Sequence, residues 1–171
     1  MIKIEKRTLP NLFRDINFVV SGLSKDKRET RLYSKNVKIE NERMISTDGH
    51  QLRIAHEVPF ENGYYEIPKK NKSEIILVKS NEDIMYPDYD NIINTDNHSI
   101  FVGGFCQDRT NIALTGLIRS MPEKLTIDIE KAISVIKDID DTYEIYISAE
   151  IGAPIYFNNH TKSAWLMPCE I

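Results

Sequence analysis

The sequence predicts an α+β fold built from two strand-helix-strands units. Residues 2–7 alternate charged and apolar side chains, as a strand does, and the apolar residues that follow recur at helical spacing. From Leu125 onward the chain passes through the same change of period a second time. Few residues coincide between the two segments, so the repeat concerns architecture only.

The first helix is predicted between residues 9 and 20. Thr8 is a candidate N-cap, Pro10 is tolerated in the first turn, and Gly22 is placed to end the helix. The apolar positions with helical spacing are Leu9, Leu12, Phe13, Ile16, Val19 and Val20.

Strands are predicted to follow this helix. Asp48-Gly49 is a hairpin turn signal between the strands predicted at Arg43–Thr47 and Gln51–Val58. The predicted strands of this part of the chain are Thr30–Ser34, Val37–Glu40, Arg43–Thr47, Gln51–Val58, Tyr64–Ile67 and Glu74–Val78.

The second unit is predicted from the remaining pattern. Ile100–Phe105 is a predicted strand, and Thr110–Met121 is a predicted helix that Gly116 weakens. Asp128 is the predicted N-cap of the closing helix. The buried stripe of that helix is predicted to be Ile129, Ala132, Ile133, Ile136 and Ile139. The strands around it are predicted to be Leu125–Ile127, Tyr143–Ile147, Pro154–Phe157 and Ser163–Met167. We expect two lobes, at residues 1–85 and 86–171.

Composition bounds the class of protein. The chain has 171 residues, 41% of them hydrophobic and 28% charged, which is enough for one core or two small lobes. It contains no apolar run of the roughly 20 residues that cross a bilayer, and its amino terminus lacks a secretory pattern. Cys106 and Cys169 are far apart, which disfavours a zinc site and agrees with a reduced cytoplasm.

The overall charge is acidic. A formal charge of −4 and a pI of about 5.6 argue against a protein that holds nucleic acid with its whole surface. A local basic strip is compatible with these values.

Three short segments carry the most specific signal: Thr47-Asp48-Gly49-His50-Gln51-Leu52, Tyr86-Pro87-Asp88-Tyr89, and Trp165-Leu166-Met167-Pro168-Cys169-Glu170-Ile171. In this order they resemble the stretches that line the partner-binding cleft of the bacterial DNA polymerase III β sliding clamp. That family has a Thr-Asp-Gly-His-Arg-Leu turn, an aromatic-Pro-Asp-Tyr segment and an apolar tail with Met-Pro. The resemblance implies a DNA-clamp-like fold with antiparallel sheets and helices on one face, in abbreviated form.

The resemblance also implies a peptide-binding cleft. This chain departs from the family pattern at Gln51 and Glu170, where arginines are usual, at Cys169, where methionine is usual, and at Trp165, which replaces a smaller residue. The cleft is therefore expected to be less basic and differently shaped. Its predicted residues are Leu32, Thr47, Gly49, His50, Gln51, Leu52, Pro87, Ile92, Trp165, Leu166, Met167, Pro168 and Cys169.

As a function, the resemblance implies a cytoplasmic, non-enzymatic replication protein without a cofactor. It would bind short apolar motifs of a DNA polymerase or clamp loader and encircle double-stranded DNA as a homo-oligomer. An adaptor or decoy that keeps only the cleft is the alternative. The predicted DNA contacts are Arg14, Lys25, Lys27, Arg28, Arg119, Lys131 and Lys137; a solvated mixed-charge face is the competing interpretation.

Each segment also has a simpler interpretation taken alone: a hairpin turn, a loop and a closing strand. A metal-dependent phosphoesterase using Asp48, His50, His56 and Asp88 is a further alternative, because histidines and carboxylates are competent metal ligands. No ligand spacing, glycine-rich phosphate loop or nucleophile motif supports it.

Overall fold

The computed structural model describes residues 1–93, 100–106, 110–121, 125–139, 142–148, 150 and 152–170. The chain divides into two compact units, Met1–Pro87 and Asp88–Ile171. Each unit combines antiparallel strands with helices, so the predicted α+β class is confirmed. In the described ranges, no helix is long and apolar enough to cross a membrane.

Residues 1–87, all of them described, contain one α-helix, α1 (Pro10–Val20), and six strands. The strands pair in the order β1-β6-β5-β2-β3-β4. Their bounds are β1 (Ile2–Glu5), β2 (Val37–Glu40), β3 (Arg43–Thr47), β4 (Gln51–Ala55), β5 (Gly63–Lys70) and β6 (Glu74–Lys79).

Helix α1 forms the core of the first unit with these strands. It contacts β1, β3, β4 and β6. Ser46 on β3 donates its hydroxyl to the carbonyl of Val19 (2.6 Å), which fixes the end of the helix on the sheet. The side chains that α1 buries are Phe13, Ile16, Phe18, Val19 and Val20. Four of these belong to the predicted apolar face, but Phe18 was not predicted and the predicted Leu9 is 45% exposed.

Two local predictions in this unit are wrong. The segment predicted as a strand at Thr30–Ser34 instead contains a 3₁₀ turn at Leu32–Ser34. There the Ser34 hydroxyl donates to the Arg31 carbonyl (2.8 Å) and the Asn36 amide to the Leu32 carbonyl (2.9 Å), local bonds that compete with strand pairing.

The predicted N-cap at Thr8 is the second error. Leu9 occupies the N-cap position without a side-chain cap bond, and the backbone N–H groups of Thr8 and Leu9 both donate to the Glu5 carbonyl. Pro10 begins the helix and has no N–H to satisfy, so the first turn lacks one of its usual unpaired donors.

The second unit contains, among its described residues, the helices α2 (Asp90–Ile93), α3 (Thr110–Ser120) and α4 (Ile129–Asp138). Four strands pair antiparallel in the order β7-β9-β10-β11, and β8 pairs with β12. The strand bounds are β7 (Ile100–Cys106), β8 (Leu125–Thr126), β9 (Thr142–Ile147), β10 (Ile155–Asn158), β11 (Lys162–Leu166) and β12 (Cys169–Glu170).

Helix α4 begins as predicted. The Asp128 carboxylate accepts from the backbone N–H of Lys131 (3.0 Å). The predicted buried stripe is wrong at Ile129, which is 51% exposed, and Ile133 is only half-buried; the prediction also omitted Val135, which is fully buried. The first residue of a helix precedes the packed stripe, so periodicity does not fix its burial. The other predicted strands are confirmed, with ends shifted by at most three residues.

Four aromatic residues occupy facing positions on neighbouring strands of the second unit. Phe101, Tyr146, Tyr156 and Trp165 are register partners from β7 to β11. Their ring centroids lie 5.3, 5.9 and 4.8 Å apart in succession. We call these four residues the aromatic ladder; such pairs stabilise a sheet beyond the area they bury.

Candidate functional site

The turn between β3 and β4 is held by its own side chains. Thr47 accepts from the Gly49 N–H (3.1 Å) and donates to the Gln51 carbonyl (2.7 Å). One oxygen of Asp48 accepts from the N–H groups of His50 (2.9 Å) and Gln51 (3.0 Å). Gly49 has a φ of +90°, which favours glycine. The predicted hairpin turn is confirmed, and it presents Gly49 and His50 to solvent.

Beneath the turn lies a buried polar network of Asp48, Gln51 and Arg53, which we call the Arg53 network. The Gln51 amide donates to Asp48 (3.2 Å), and Arg53 donates to the Gln51 oxygen (3.0 Å) and to the Phe18 carbonyl (3.1 Å). The Arg53 guanidinium also lies 5.2 Å from the Phe18 ring centre. Arg53 is fully buried, so these bonds replace the water that its charge loses.

Gly22 makes room for this network. A Cβ at Gly22 would lie 2.7 Å from the Ser46 hydroxyl and 2.9 Å from the Arg53 Cδ. Contacts that short do not occur without a shift of the neighbours, so Arg53 and Gly22 fit each other sterically. Sequence reasoning missed the network because a lone arginine in a strand is usually exposed.

Gln51 therefore has a structural function in the turn. Its amide nitrogen and oxygen both bond within the Arg53 network, and the residue is only 7% exposed. We therefore expect Gln51 to act on the predicted cleft indirectly, because it holds the backbone that carries exposed His50.

Arg31 connects the 3₁₀ turn to the hairpin. Its guanidinium donates to the Glu29 carboxylate (2.9 and 2.5 Å), to the Tyr33 hydroxyl (2.9 Å) and, more weakly, to the Asp48 carbonyl (3.4 Å). These hydrogen bonds from Arg31 lower the pKa of Glu29 to about 2. The adjacent Leu32 is 45% exposed, so the arrangement displays an apolar side chain close to the turn.

The Tyr86-Pro87 segment is anchored on β3, the strand that leads into the hairpin turn. Tyr86 donates its hydroxyl to the Ile45 carbonyl (3.1 Å), and its ring lies 6.1 Å from the rings of both Tyr33 and Tyr64. Pro87 follows in an exposed position. The first unit thus gathers the predicted residues Leu32, Thr47, Gly49–Leu52 and Pro87 around β3.

The remaining predicted residues belong to the second unit. Trp165 and Leu166 are buried in β11, and Met167 and Pro168 follow it half-buried. Ile92 is half-buried in α2. The side chain of Cys169 lies outside the part of the chain that the structure describes. A cleft shared by these residues and those of the first unit remains a prediction.

Burial divides the predicted cleft residues into two groups. Leu32, Gly49, His50 and Pro87 are exposed and Ile92, Met167 and Pro168 half-buried, so these can meet a ligand directly. The buried members, which can only shape the surface from beneath, are Thr47, Gln51, Leu52, Trp165 and Leu166.

The predicted DNA contacts lie on helices and on one loop. Arg28 is almost fully solvated, with 93% of its side chain exposed and Asp26 at 3.5 Å. Arg14 donates to the Asn11 side chain (2.8 Å) on the exposed face of α1. Of the others, Lys131 is half-buried, and Lys25, Lys27, Arg119 and Lys137 are exposed. DNA contact by these residues remains a prediction.

The proposed metal ligands do not assemble. Asp48 is occupied by the turn, and burial lowers the pKa of His56. Among the described residues, no three side chains of His, Cys, Asp or Glu are placed to hold a metal ion. The phosphoesterase alternative gains no support.

No model of a known protein family matches the sequence, and no curated protein matches it. Solved structures do match. The DNA polymerase III subunit beta of Pseudomonas aeruginosa gives a TM-score of 0.65 at 11% identity, over 99% of this chain and 66% of that one. The Borrelia burgdorferi subunit, in complex with a natural product, gives 0.64 at 14% identity, over 99% and 62%.

The sliding clamp of Caulobacter crescentus gives a TM-score of 0.62 at 16% identity, over 99% of this chain and 65% of that one. The fold predicted from the three segments is therefore confirmed as that of DNA polymerase III β subunits. The chain spans slightly less than two thirds of the length of these structures.

Proposed function

We propose that this chain is a non-enzymatic, sliding-clamp-like replication protein that binds short apolar motifs of a DNA polymerase or another replication protein. The observation that carries the proposal is the β3–β4 turn. Within a clamp fold, the Arg53 network fixes this turn, His50 is exposed on it, and exposed Leu32 follows Arg31, whose guanidinium reaches the Asp48 carbonyl of the turn. We expect the protein in the cytoplasm, where such partners act.

The chemistry of the predicted cleft suits an apolar peptide. Leu32, Pro87 and Met167 offer accessible apolar surface, and methionine adapts to ligands of different shape. Burial of two ligand side chains such as Leu and Phe contributes roughly 1.5 to 3 kcal/mol each. After the cost of association, micromolar affinity is expected.

Fluorescence anisotropy of a labelled peptide with a Leu-Phe clamp motif tests the cleft. Met167→Asp, or deletion of residues 167–171, should abolish binding, because the substitution puts a carboxylate into the predicted apolar wall and the deletion removes that wall. His50→Ala should weaken binding by roughly 1 to 3 kcal/mol, as for a hot-spot residue. His160→Ala, at the exposed histidine of the β10–β11 turn, is the matched control.

Circular dichroism must show that each variant is folded. The proposal would be contradicted if the folded wild-type protein bound none of these peptides. It would also be contradicted if the Met167→Asp variant bound them as tightly as wild type.

We further propose that copies of the chain associate into a ring around double-stranded DNA. Among the described strands, β1 and β7 are each paired along one side only, and such edges favour pairing with another chain. The first unit carries 16 basic and 13 acidic residues and the second 6 and 13, so contacts between unlike units are electrostatically favourable.

Light scattering on a sizing column tests this association. Ring formation also predicts retention on closed circular DNA, weakened by salt and lost on linearisation. A monomer at every concentration would remove the ring and leave the adaptor or decoy.

A further inference from the structure

The aromatic ladder lies on the face of its sheet that points away from α3. Helix α3 covers the opposite face: a Cβ at its Gly116 would lie 3.5 Å from the Phe105 ring, and Phe105 pairs with Tyr143, two residues before Ile145. Ile145 is fully buried, so Tyr146, which follows it, points to the other face. The ladder residues are direct register partners, so all four share that face.

The ladder becomes more exposed from β11 to β7. Trp165 is 4% exposed, Tyr156 and Tyr146 are half-buried, and Phe101 is 56% exposed. Single exposed apolar side chains are common on protein surfaces, whereas a continuous row of accessible rings is typical of a binding surface. A ligand can therefore reach rings on three neighbouring strands, β10, β9 and β7.

The buried end of the ladder belongs to the predicted cleft. Trp165 is one of the predicted cleft residues, and Leu166 alone separates it from Met167 in the sequence. From Trp165 the ladder leads across β10 and β9 to β7, strands that contain none of the predicted cleft residues. A peptide bound beside Trp165 thus has further aromatic rings available for the residues that flank its motif.

A row of hydrogen-bonding side chains runs beside the ladder on the same face. Its members, Glu144, Asn158 and Ser163, are register partners, and each lies two residues from a ladder residue. Asn158 accepts from the Ser163 hydroxyl (3.0 Å), and Glu144 accepts from the Tyr146 hydroxyl (2.7 Å). Glu144 is exposed, and the unit around it carries 13 acidic and 6 basic residues, which favours a cationic ligand.

We propose that the ladder binds a proline-rich, positively charged segment next to the apolar motif of the partner protein, a proposal that rests on the proposed cleft function. Proline rings pack on aromatic side chains, and a polyproline II segment is already extended before binding, so it loses little conformational entropy. The three ring-to-ring distances of the ladder together match about five residues of such a segment at ~3.1 Å each. Basic side chains between the prolines are attracted to Glu144.

The test uses the full chain and four kinds of fluorescein-labelled peptide. One carries the Leu-Phe clamp motif alone, and the others extend it by Lys-Pro-Pro-Lys-Pro, Lys-Ser-Ser-Lys-Ser or Glu-Pro-Pro-Glu-Pro, attached at the amino end or, in a second set, at the carboxyl end. Anisotropy at low ionic strength should show that the proline-lysine extension, at one of the two ends, tightens binding at least about fivefold relative to the motif alone. The serine and glutamate extensions should tighten it less than about twofold, because the first lacks apolar rings and the second is repelled by the acidic unit.

Two variants and one control locate the bound extension. Phe101→Ala should reduce the gain from the proline-lysine extension to less than about twofold and leave the affinity for the motif alone unchanged. Ile112→Ala, at a similarly exposed isoleucine of α3 (57%), is the matched control and should keep the full gain. Glu144→Gln should weaken the preference for the proline-lysine over the proline-glutamate extension. Circular dichroism confirms that each variant is folded.

The proposal would be overturned if no extension tightened binding, if the serine extension did so as strongly as the proline-lysine extension, or if Phe101→Ala kept the full gain. Binding of the motif alone reports on the cleft and not on the ladder. A folded protein that ignores the motif alone but binds the proline-lysine peptide through Phe101 would support the ladder site and overturn the cleft. Binding of the motif without any gain from the extension would do the reverse.

Discussion

The two units follow the same order of strand, helix and strands, yet their chemistry differs. The first carries 16 basic and 13 acidic residues, a formal charge of +3; the second carries 6 and 13, a formal charge of −7. The overall value of −4 conceals this division. A net charge therefore says little about either surface, and a basic patch on an acidic protein needs to be sought unit by unit.

The means of stabilisation differ as well. In the first unit a fully buried arginine is satisfied by Gln51 and the Phe18 carbonyl. In the second, contacting rings of the aromatic ladder connect the strands. The comparison shows that two units with the same order of strands and helices can be stabilised in different ways, one by a buried polar network and the other by aromatic packing.

The largest expected effect is at Arg53. Arg53→Met keeps similar bulk but leaves the Gln51 oxygen and the Phe18 carbonyl without this donor, so we expect a loss of about 2 to 4 kcal/mol in the free energy of unfolding. Urea unfolding followed by far-ultraviolet circular dichroism measures it. Arg14→Met, on the exposed face of α1, is the control and should cost less than about 0.5 kcal/mol. Similar costs at both positions would refute a special role for the network.

A smaller loss is expected in the aromatic ladder. Tyr156→Leu removes two ring contacts, with Tyr146 and Trp165, worth about 0.5 to 1.5 kcal/mol each. Tyr156→Phe keeps both ring contacts and loses only the hydroxyl bond with Ser163, so it should be clearly more stable than the leucine variant in the same urea experiment. If the leucine and phenylalanine variants are equally stable, ring stacking does not hold this sheet.

Helix starts provide a third contrast, because α4 has a side-chain cap and α1 has none. Asp128→Ala should cost about 1 kcal/mol, whereas Leu9→Asp should stabilise the protein by about 0.5 to 1 kcal/mol. Thermal unfolding resolves shifts of this size. A destabilising Leu9→Asp would mean that the half-exposed leucine contributes more by packing than a cap would.

The smallest effect concerns pH. Burial lowers the pKa of His56 below the ordinary value of 6.5, so the unfolded chain takes up this proton first as pH falls. His56 therefore contributes stability above about pH 6.5 that is lost as pH falls through its folded pKa. Between about pH 7 and 5.5, unfolding free energy should fall more steeply for wild type than for His56→Gln. Parallel slopes in urea titrations would contradict this.

Local signals predicted most elements because the relevant physics is local. Asp48-Gly49 marked its turn since only a few residue types suit a positive φ, and Asp128 marked a helix start since its carboxylate can reach the Lys131 N–H. The strand predicted at Thr30–Ser34 was wrong because its alternating pattern resembles that of a strand. In the structure the Ser34 hydroxyl instead forms a local hydrogen bond with the Arg31 carbonyl.

Features that depend on distant partners could not be predicted. The pairing of Ile2 with Leu77 joins strands far apart in the sequence, and periodicity carries no register. For the same reason the aromatic ladder could not be predicted, since it depends on the register of β7, β9, β10 and β11. In the candidate site, residue identity predicted the turn. The burial of Gln51 against Arg53 could be recognised only in the packed structure.

The stacking of Trp165 on Tyr156 gives this chain an optical label of its own. Trp165 is the only tryptophan, and its indole lies 4.8 Å from the tyrosine ring. Only Leu166 separates it from Met167 and Pro168 in the sequence. Two chromophores this close couple their ultraviolet transitions, so near-ultraviolet circular dichroism and intrinsic emission both report on β10 and β11. Occupancy of the carboxyl-terminal segment can thus be followed without attaching a dye.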